Sequence, residues 1–220
     1  MKKRSIIKST GRYLPDNRVS NDDLTALMDT TDEWIRQRTG IEARYWVNEG
    51  DDVGTSDLAL EASRVALARA GWEPADLDLI VMATMTSDTY IPGAGAHLQH
   101  KLGGGYIPAL DIRQQCTGFL HGLEVCDAYI RGGLARKILL VGADYQSRFM
   151  EKTTANRDTA VIFADGAGAV CIAAEETEET VGILAAVFHA DGKHANALQV
   201  GIPARKSGYA MDPEVLINNE

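Results

Sequence analysis

The chain has 220 residues, 45% of them hydrophobic and 24% charged, an ordinary globular composition large enough for one sizeable core or two small ones. A formal net charge of -9 excludes nucleic acid or an anionic membrane surface as the default partner. Three cysteines with no CxxC pair exclude a disulfide framework and point to a reduced, cytoplasmic compartment.

Lys2, Lys3 and Arg4 make the N-terminus basic, but Lys8 breaks the apolar run after Ile6 and Ile7, so no secretory segment is predicted. Nowhere do enough consecutive apolar residues run to predict a membrane span. Thr30 and Glu33 have the spacing of a capping box, and Trp34 and Arg38 then share one face of the predicted helix. One reading of that pair is a core tryptophan beside a solvated arginine. The other is a flat ring that stacks on a base next to a cation for phosphate, which Arg157 can join.

Further along, Ser56 to Ala70 carries apolar residues at helical spacing and stops at Gly71. Leu77 to Ala83 is a nearly continuous apolar run, which predicts a strand buried on both faces. A helix is predicted to start with Pro92 in its first turn and to run to Leu102. The pattern repeats as a strand over Ile107 to Ile112, a helix over Thr117 to Ile130 and a strand over Lys137 to Ala143. This alternation predicts a doubly wound α/β architecture with parallel pairing. Thr159 to Phe163 and Gly168 to Ala174 are expected as adjacent strands joined by a tight turn at 164–167. The acidic stretch Glu175 to Glu179 is expected as a solvated loop, and Val181 to His189 as a last strand. Residues 195–220 carry no convincing element, an odd ending for a layered domain unless a partner holds it or the architecture continues.

Cys116 stands where the strand ending at Ile112 hands over to the helix beginning near Thr117. Unpaired N–H groups and the macrodipole at a helix N-terminus favour an anion, and the thiolate is the nucleophilic form. Gly118 leaves room for close approach. A nucleophile that accepts an acyl group and a small buried core residue both fit this position. Cys126 and Cys171 fall on apolar stripes and are predicted to be inert core thiols. His97 and His100 are three apart without partner ligands, so no metal site is predicted. The segment 165–169 is neither a P-loop nor GxGxxG.

Several runs together resemble one family. Asp29-Thr30-Thr31-Asp32-Glu33-Trp34-Ile35 with Arg38-Thr39-Gly40-Ile41 is similar to the N-terminal signature of β-ketoacyl-ACP synthase III. Cys116-Thr117-Gly118-Phe119 resembles its nucleophile motif. Val141-Gly142-Ala143-Asp144, the run Phe163 to Ala169 and His189-Ala190-Asp191-Gly192 resemble its later markers. The similarity runs from about residue 5 to 192, in the right order and spacing.

The resemblance implies a thiolase-like layered fold of βαβαβ half-repeats, assembled as a homodimer. It implies transfer of an acyl group from acyl-CoA to Cys116 and condensation with malonyl-ACP, with loss of CO₂. Acyl-CoA and the acyl carrier protein are then the partners, acyl-CoA is a substrate, and no resident cofactor is expected. Trp34 and Arg157 match the pair flanking the CoA adenine, Thr30 and Arg38 match other CoA contacts, and Ile91 matches a residue shaping the acyl pocket across the dimer. Asp158 stands where the family commonly has glycine, an acidic group near the expected phosphates.

The histidine and asparagine that the resemblance places beside the cysteine do not occur in matching motifs before Glu220. The expected organisation is therefore a first half over 1–175 carrying the nucleophile, and an incomplete second half over 176–220. Two alternatives stay open: a related synthase making another lipid or secondary metabolite, and a non-catalytic partner half.

Overall fold

The run Leu-Ile-Val-Met-Ala at residues 79–83 is buried at every position, which requires a strand covered on both faces. The computed structural model describes residues 1–194 and supplies both covers. In chain order the elements are β1 (Lys2–Tyr13), β2 (Asn17–Ser20), α1 (Asn21–Thr25), α2 (Asp32–Thr39), β3 (Ala43–Trp46) and α3 (Thr55–Ala70). There follow β4 (Leu79–Ala83), α4 (Ala94–Leu102), β5 (Ala109–Ile112), α5 (Gly118–Arg131), β6 (Lys137–Tyr145), α6 (Arg157–Ala160) and β7 (Asp165–Thr177).

Five strands form one sheet in the order β1-β7-β6-β4-β5, and β2 pairs with β3 in a separate hairpin. β4 lies parallel to both β5 and β6, whereas β7 is antiparallel to β6 and β1. The predicted parallel pairing therefore holds for the central βαβαβ unit, and the sheet as a whole is mixed.

Alternation along the strands divides the core. Ile80, Met82, Leu139 and Val141 face α3 and α4, meeting Ala59, Ala62, Ala66 and Leu98. Leu79, Val81, Ile138 and Leu140 face α5, meeting Cys126 and Ile130. Both extra cysteines are buried core thiols, as their spacing predicts. Gly11 lets β1 lie directly on α3: a Cβ there would sit 2.6 Å from the Ala66 backbone nitrogen. A third, smaller cluster holds the hairpin, α1, α2 and α6 together through Val19, Leu24, Ile35, Trp46, Ala160 and Val161.

Several expectations need correction. Thr159 to Phe163 is not a strand. Residues 157–160 form α6, because Ala160 and Val161 insert into the third cluster rather than joining the sheet. Val181 to His189 has no strand pairing, although the Ile183 N–H donates to the Ser5 carbonyl at the edge of β1. The tight turn expected at 164–167 and the acidic loop expected from Glu175 belong in part to β7, whose register with β1 runs from Tyr13↔Ala167 to Lys2↔Thr177. Pro92 precedes α4, whose N-cap is Gly93.

The first strand went unpredicted. Its pairing shifts between Ile7 and Ser9, which breaks the period-2 signal that a strand reader relies on. The chain divides into the units Met1–Leu184 and Ala185–Glu220, and residue 175 lies inside β7 of the first. Within the second unit the described residues carry one regular element, the 3-10 turn Gly192–His194. The weakly patterned stretch 195–220 lies outside the described residues.

Candidate active site

Cys116 sits in a 3-10 turn, Gln115–Thr117, between the end of β5 and the start of α5. Gln115 has φ of 46°, a left-handed conformation that non-glycine residues rarely adopt and that costs on the order of 1–3 kcal/mol. Such strain, one residue before an exposed cysteine, marks a sharp strand-to-helix corner. Thr117 braces it: its N–H and its hydroxyl both donate to the Gln114 carbonyl, at 3.2 and 3.0 Å.

The helix that follows rests on the ends of the parallel strands. A Cβ at Gly118 would lie 3.3 Å from the Ala83 Cβ at the end of β4. One at Gly142 in β6 would lie 3.2 Å from the Phe119 ring. Cys116 is therefore exposed ahead of α5, at the carboxyl ends of the parallel strands where open α/β sheets bind ligands.

The loop leaving β4 is pinned by one carboxylate. Asp144 Oδ1 accepts from the Met85 N–H at 2.9 Å, the Thr84 hydroxyl at 3.0 Å and the Thr86 hydroxyl at 3.2 Å. This loop carries Ile91, whose side chain is 82% exposed. Thr89 closes the loop by donating to the Pro92 carbonyl, and it also meets His97 Nε2 at 2.9 Å. His97 thus engages the loop, and among the described residues no group of three His, Cys, Asp or Glu is placed to hold a metal ion.

The aromatic–cation set is built elsewhere, from distant parts of the chain. Thr31, not Thr30, caps α2 by accepting from the Trp34 N–H at 3.1 Å, so the cap is shifted by one residue and the predicted Thr30–Glu33 capping box does not form. The Arg38 guanidinium lies 4.3 Å from the Trp34 ring centroid, and that of Arg157, the first residue of α6, lies 4.4 Å from it. Arg157 also donates to the Asp29 carbonyl at 2.7 Å, and the Asp29 N–H donates to Thr154 Oγ1. Thr30 Oγ1 is buried with no partner among the described residues. The structure thus brings Trp34, Arg38, Arg157 and the Asp29-Thr30 backbone together, while Cys116 and Ile91 stand on the loops after β5 and β4. Asp158 points into solvent, 4.0 Å from Arg157 Nε.

Sequence reasoning missed the residues that hold these parts in place. Asp165 is buried and accepts from the Ser147 N–H, the Ser147 hydroxyl and the Val47 N–H. Arg44 is buried without a carboxylate partner among the described residues, and burial pushes its pKa down. A charged residue on the apolar side of a short strand was the one available signal for it.

The family model described as 3-oxoacyl-[acyl-carrier-protein (ACP)] synthase III matches residues 110–192, which include Cys116. The chain is 44% identical over 200 residues to the β-ketoacyl-[acyl-carrier-protein] synthase III of Rhizobium johnstonii, a match covering 90% of the chain and 61% of that protein. This chain is a relative of the β-ketoacyl-ACP synthase III proteins.

The synthase III of Novosphingobium aromaticivorans is 45% identical over 204 residues, covering 91% of the chain and 62% of that protein. Among solved structures, the 3-oxoacyl-(acyl carrier protein) synthase III of Pseudomonas aeruginosa superposes with a TM-score of 0.83 at 36% identity, over 96% of this chain and 65% of that one. The fold is the layered α/β fold of the synthase III structures, and the chain spans about three-fifths of the length of the curated relatives it matches. Among the described residues no helix is long and apolar enough to cross a membrane.

Proposed function

We propose that this protein is an acyl-CoA-primed condensing enzyme that loads an acyl group on Cys116 and condenses it with malonyl-ACP to start fatty-acid synthesis. The observation that carries the reading is Cys116 itself, exposed on a strained corner ahead of a helix while its two sister cysteines are buried. Its thiolate attacks the thioester carbonyl, the C–S bond to CoA breaks, and CoA leaves as the thiol after taking a proton. Malonyl-ACP then loses CO₂, and the resulting enolate attacks the acyl-cysteine carbonyl and releases the cysteine sulfur.

Trp34 with Arg157 and Arg38 supports the acyl donor being a CoA ester, since a flat ring beside two guanidiniums suits a base with attached phosphates. Acyl-CoA is a substrate in this reading, and no resident cofactor is required. A homodimer is part of the proposal: β5 is an edge strand of the sheet, and Tyr90, Ile91 and Tyr106 expose large apolar side chains around it. A cytoplasmic setting suits the three free thiols.

The test is incubation with radiolabelled acetyl-CoA, followed by a malonyl-ACP chase. Label mapped to Cys116 and released as ketoacyl product supports the full reading. Label that stays on Cys116 through the chase assigns loading without condensation to these 220 residues. Absence of any label on Cys116 sinks the proposal.

A further inference from the structure

Arg44 presents an arrangement that loading chemistry does not need. It lies in β3, is 3% exposed, and among the described residues hydrogen-bonds to no carboxylate. Burying a guanidinium is expensive, so its donors should be occupied. NH1 donates to the Val19 carbonyl at 3.3 Å. NH2 donates both to Asn21 Oδ1 at 2.8 Å and to the Val161 carbonyl at 3.0 Å. Nε has no partner among the described residues.

What lies at the far ends of these bonds matters more than their number. Val161 is the C-cap of α6, the helix that begins with Arg157. Asn21 spends its own amide on Asp32 Oδ1 at 2.8 Å and on the Ile41 carbonyl at 2.7 Å. Asp32 is the first residue of α2, which carries Trp34 and Arg38, and Ile41 follows that helix. One buried guanidinium therefore ties both helices that supply the aromatic–cation set, although they lie more than a hundred positions apart in the chain. The apolar packing beneath them is the third cluster, to which α2 gives Ile35 with Trp34 at its margin, and α6 gives Ala160 with Val161 at its C-cap.

We propose that Arg44 is a positioning residue that sets the separation of Trp34 from Arg157, and through it the affinity for the nucleotide end of a CoA ester. The proposal rests on the reading of Trp34, Arg38 and Arg157 as the CoA-binding set. Arginine is required rather than merely a cation. Lysine presents a point charge and cannot hold Asn21 and Val161 in a fixed planar geometry. The fold has separate ties at this place, since the Trp46 indole donates to the Phe163 carbonyl and Arg157 donates to the Asp29 carbonyl. Loss of Arg44 should therefore loosen the alignment of α2 and α6 without unfolding the domain.

The experiment compares Arg44→Lys, Arg44→Met and Asp32→Ala with Trp34→Ala and the unaltered full chain. Asp32 is partly exposed, so its replacement cuts one of the two Asn21 ties, leaving that to the Ile41 carbonyl, without opening the core. Two quantities are read: the Kd for CoA, and the rate of Cys116 acylation from acetyl-CoA against a nucleotide-free acetyl thioester of N-acetylcysteamine. The expected result is a CoA Kd raised about tenfold in the Arg44 variants and less in Asp32→Ala, with acylation by the nucleotide-free thioester unchanged. A general folding defect would slow both thioesters alike and overturns the proposal. So does a normal CoA Kd in all three variants when Trp34→Ala weakens binding. If Trp34→Ala leaves CoA binding intact, the assignment of the CoA site is wrong and the role of Arg44 falls with it.

Discussion

The cysteine corner and the arginine-flanked tryptophan are assembled in opposite ways. Around Cys116 the parts are nearly consecutive in sequence: the end of β5, a left-handed Gln115, a bracing Thr117 and a glycine that lets α5 sit on β4. Around Trp34 they come from remote segments, Arg157 reaching across 128 positions to the Asp29 carbonyl and Arg44 across 117 to the Val161 carbonyl. A local corner is fixed once the sheet and α5 form. A site drawn from distant helices depends on every strap between them, and so it should be the softer of the two and the one more easily altered without destroying the fold.

The largest expected effect breaks the corner chemically. Cys116→Ser should lower acylation from acetyl-CoA by on the order of 10³-fold or more, measured as protein-bound label. Alkylation should also discriminate among the thiols. Burial pushes Cys126 up to about 12, and burial likewise raises Cys171, so both stay protonated near neutral pH. Mass spectrometry after brief iodoacetamide treatment should find Cys116 modified first, and prior modification of Cys126 or Cys171 would contradict the exposure seen here.

Next in size is the tryptophan. Trp34→Ala should weaken CoA binding by about 1–3 kcal/mol, roughly 5- to 150-fold, through loss of base stacking, as titration calorimetry would show. Melting temperature should change little, because Trp34 lies at the margin of its cluster rather than within it.

Gly122→Val sharpens the comparison from the other side. A Cβ there would come within 2.5 Å of Leu140 Cδ1, so the buried Leu140 side chain or α5 must shift, at a cost of about 1–3 kcal/mol. Thermal melting should report the loss, and the alkylation rate of Cys116 should change with it. The Kd for CoA should not, and a parallel change in both would mean that the two regions are coupled.

The smallest effect concerns charge. Asp158 is 88% exposed on its side chain and sits beside Arg157. Asp158→Asn should strengthen CoA binding by about two- to threefold at low ionic strength, and added salt should erase the gain. Unchanged affinity at low salt would place the phosphates elsewhere.

Legibility followed the same division. The alternation of apolar runs and glycine stops marked the unit from β4 to β6, because each element there satisfies its own periodicity against a continuous core. Cys116 stood out because the corner's ingredients are adjacent in the chain. The third cluster was not legible in this way. Thr159 to Phe163 has the composition of a strand, yet tertiary burial of Ala160 and Val161 makes its start a helix. Arg44 looked like an ordinary charge on a short strand, and only its depth reveals the bonds it makes.

By itself, then, the sequence determined the layered α/β unit and the strand-to-helix position of Cys116, since periodicity and a strand-to-helix handover are local properties of the chain, whereas the exposure of that thiol came from the structure. The tertiary structure alone decided that β1 and β7 close one side of the sheet in antiparallel register. It alone decided, too, which remote arginines meet the Trp34 ring and which buried arginine holds them there. Those choices turn on desolvation and long-range hydrogen bonding, whose free energies depend on which segments exclude water together and leave no periodic mark along the chain.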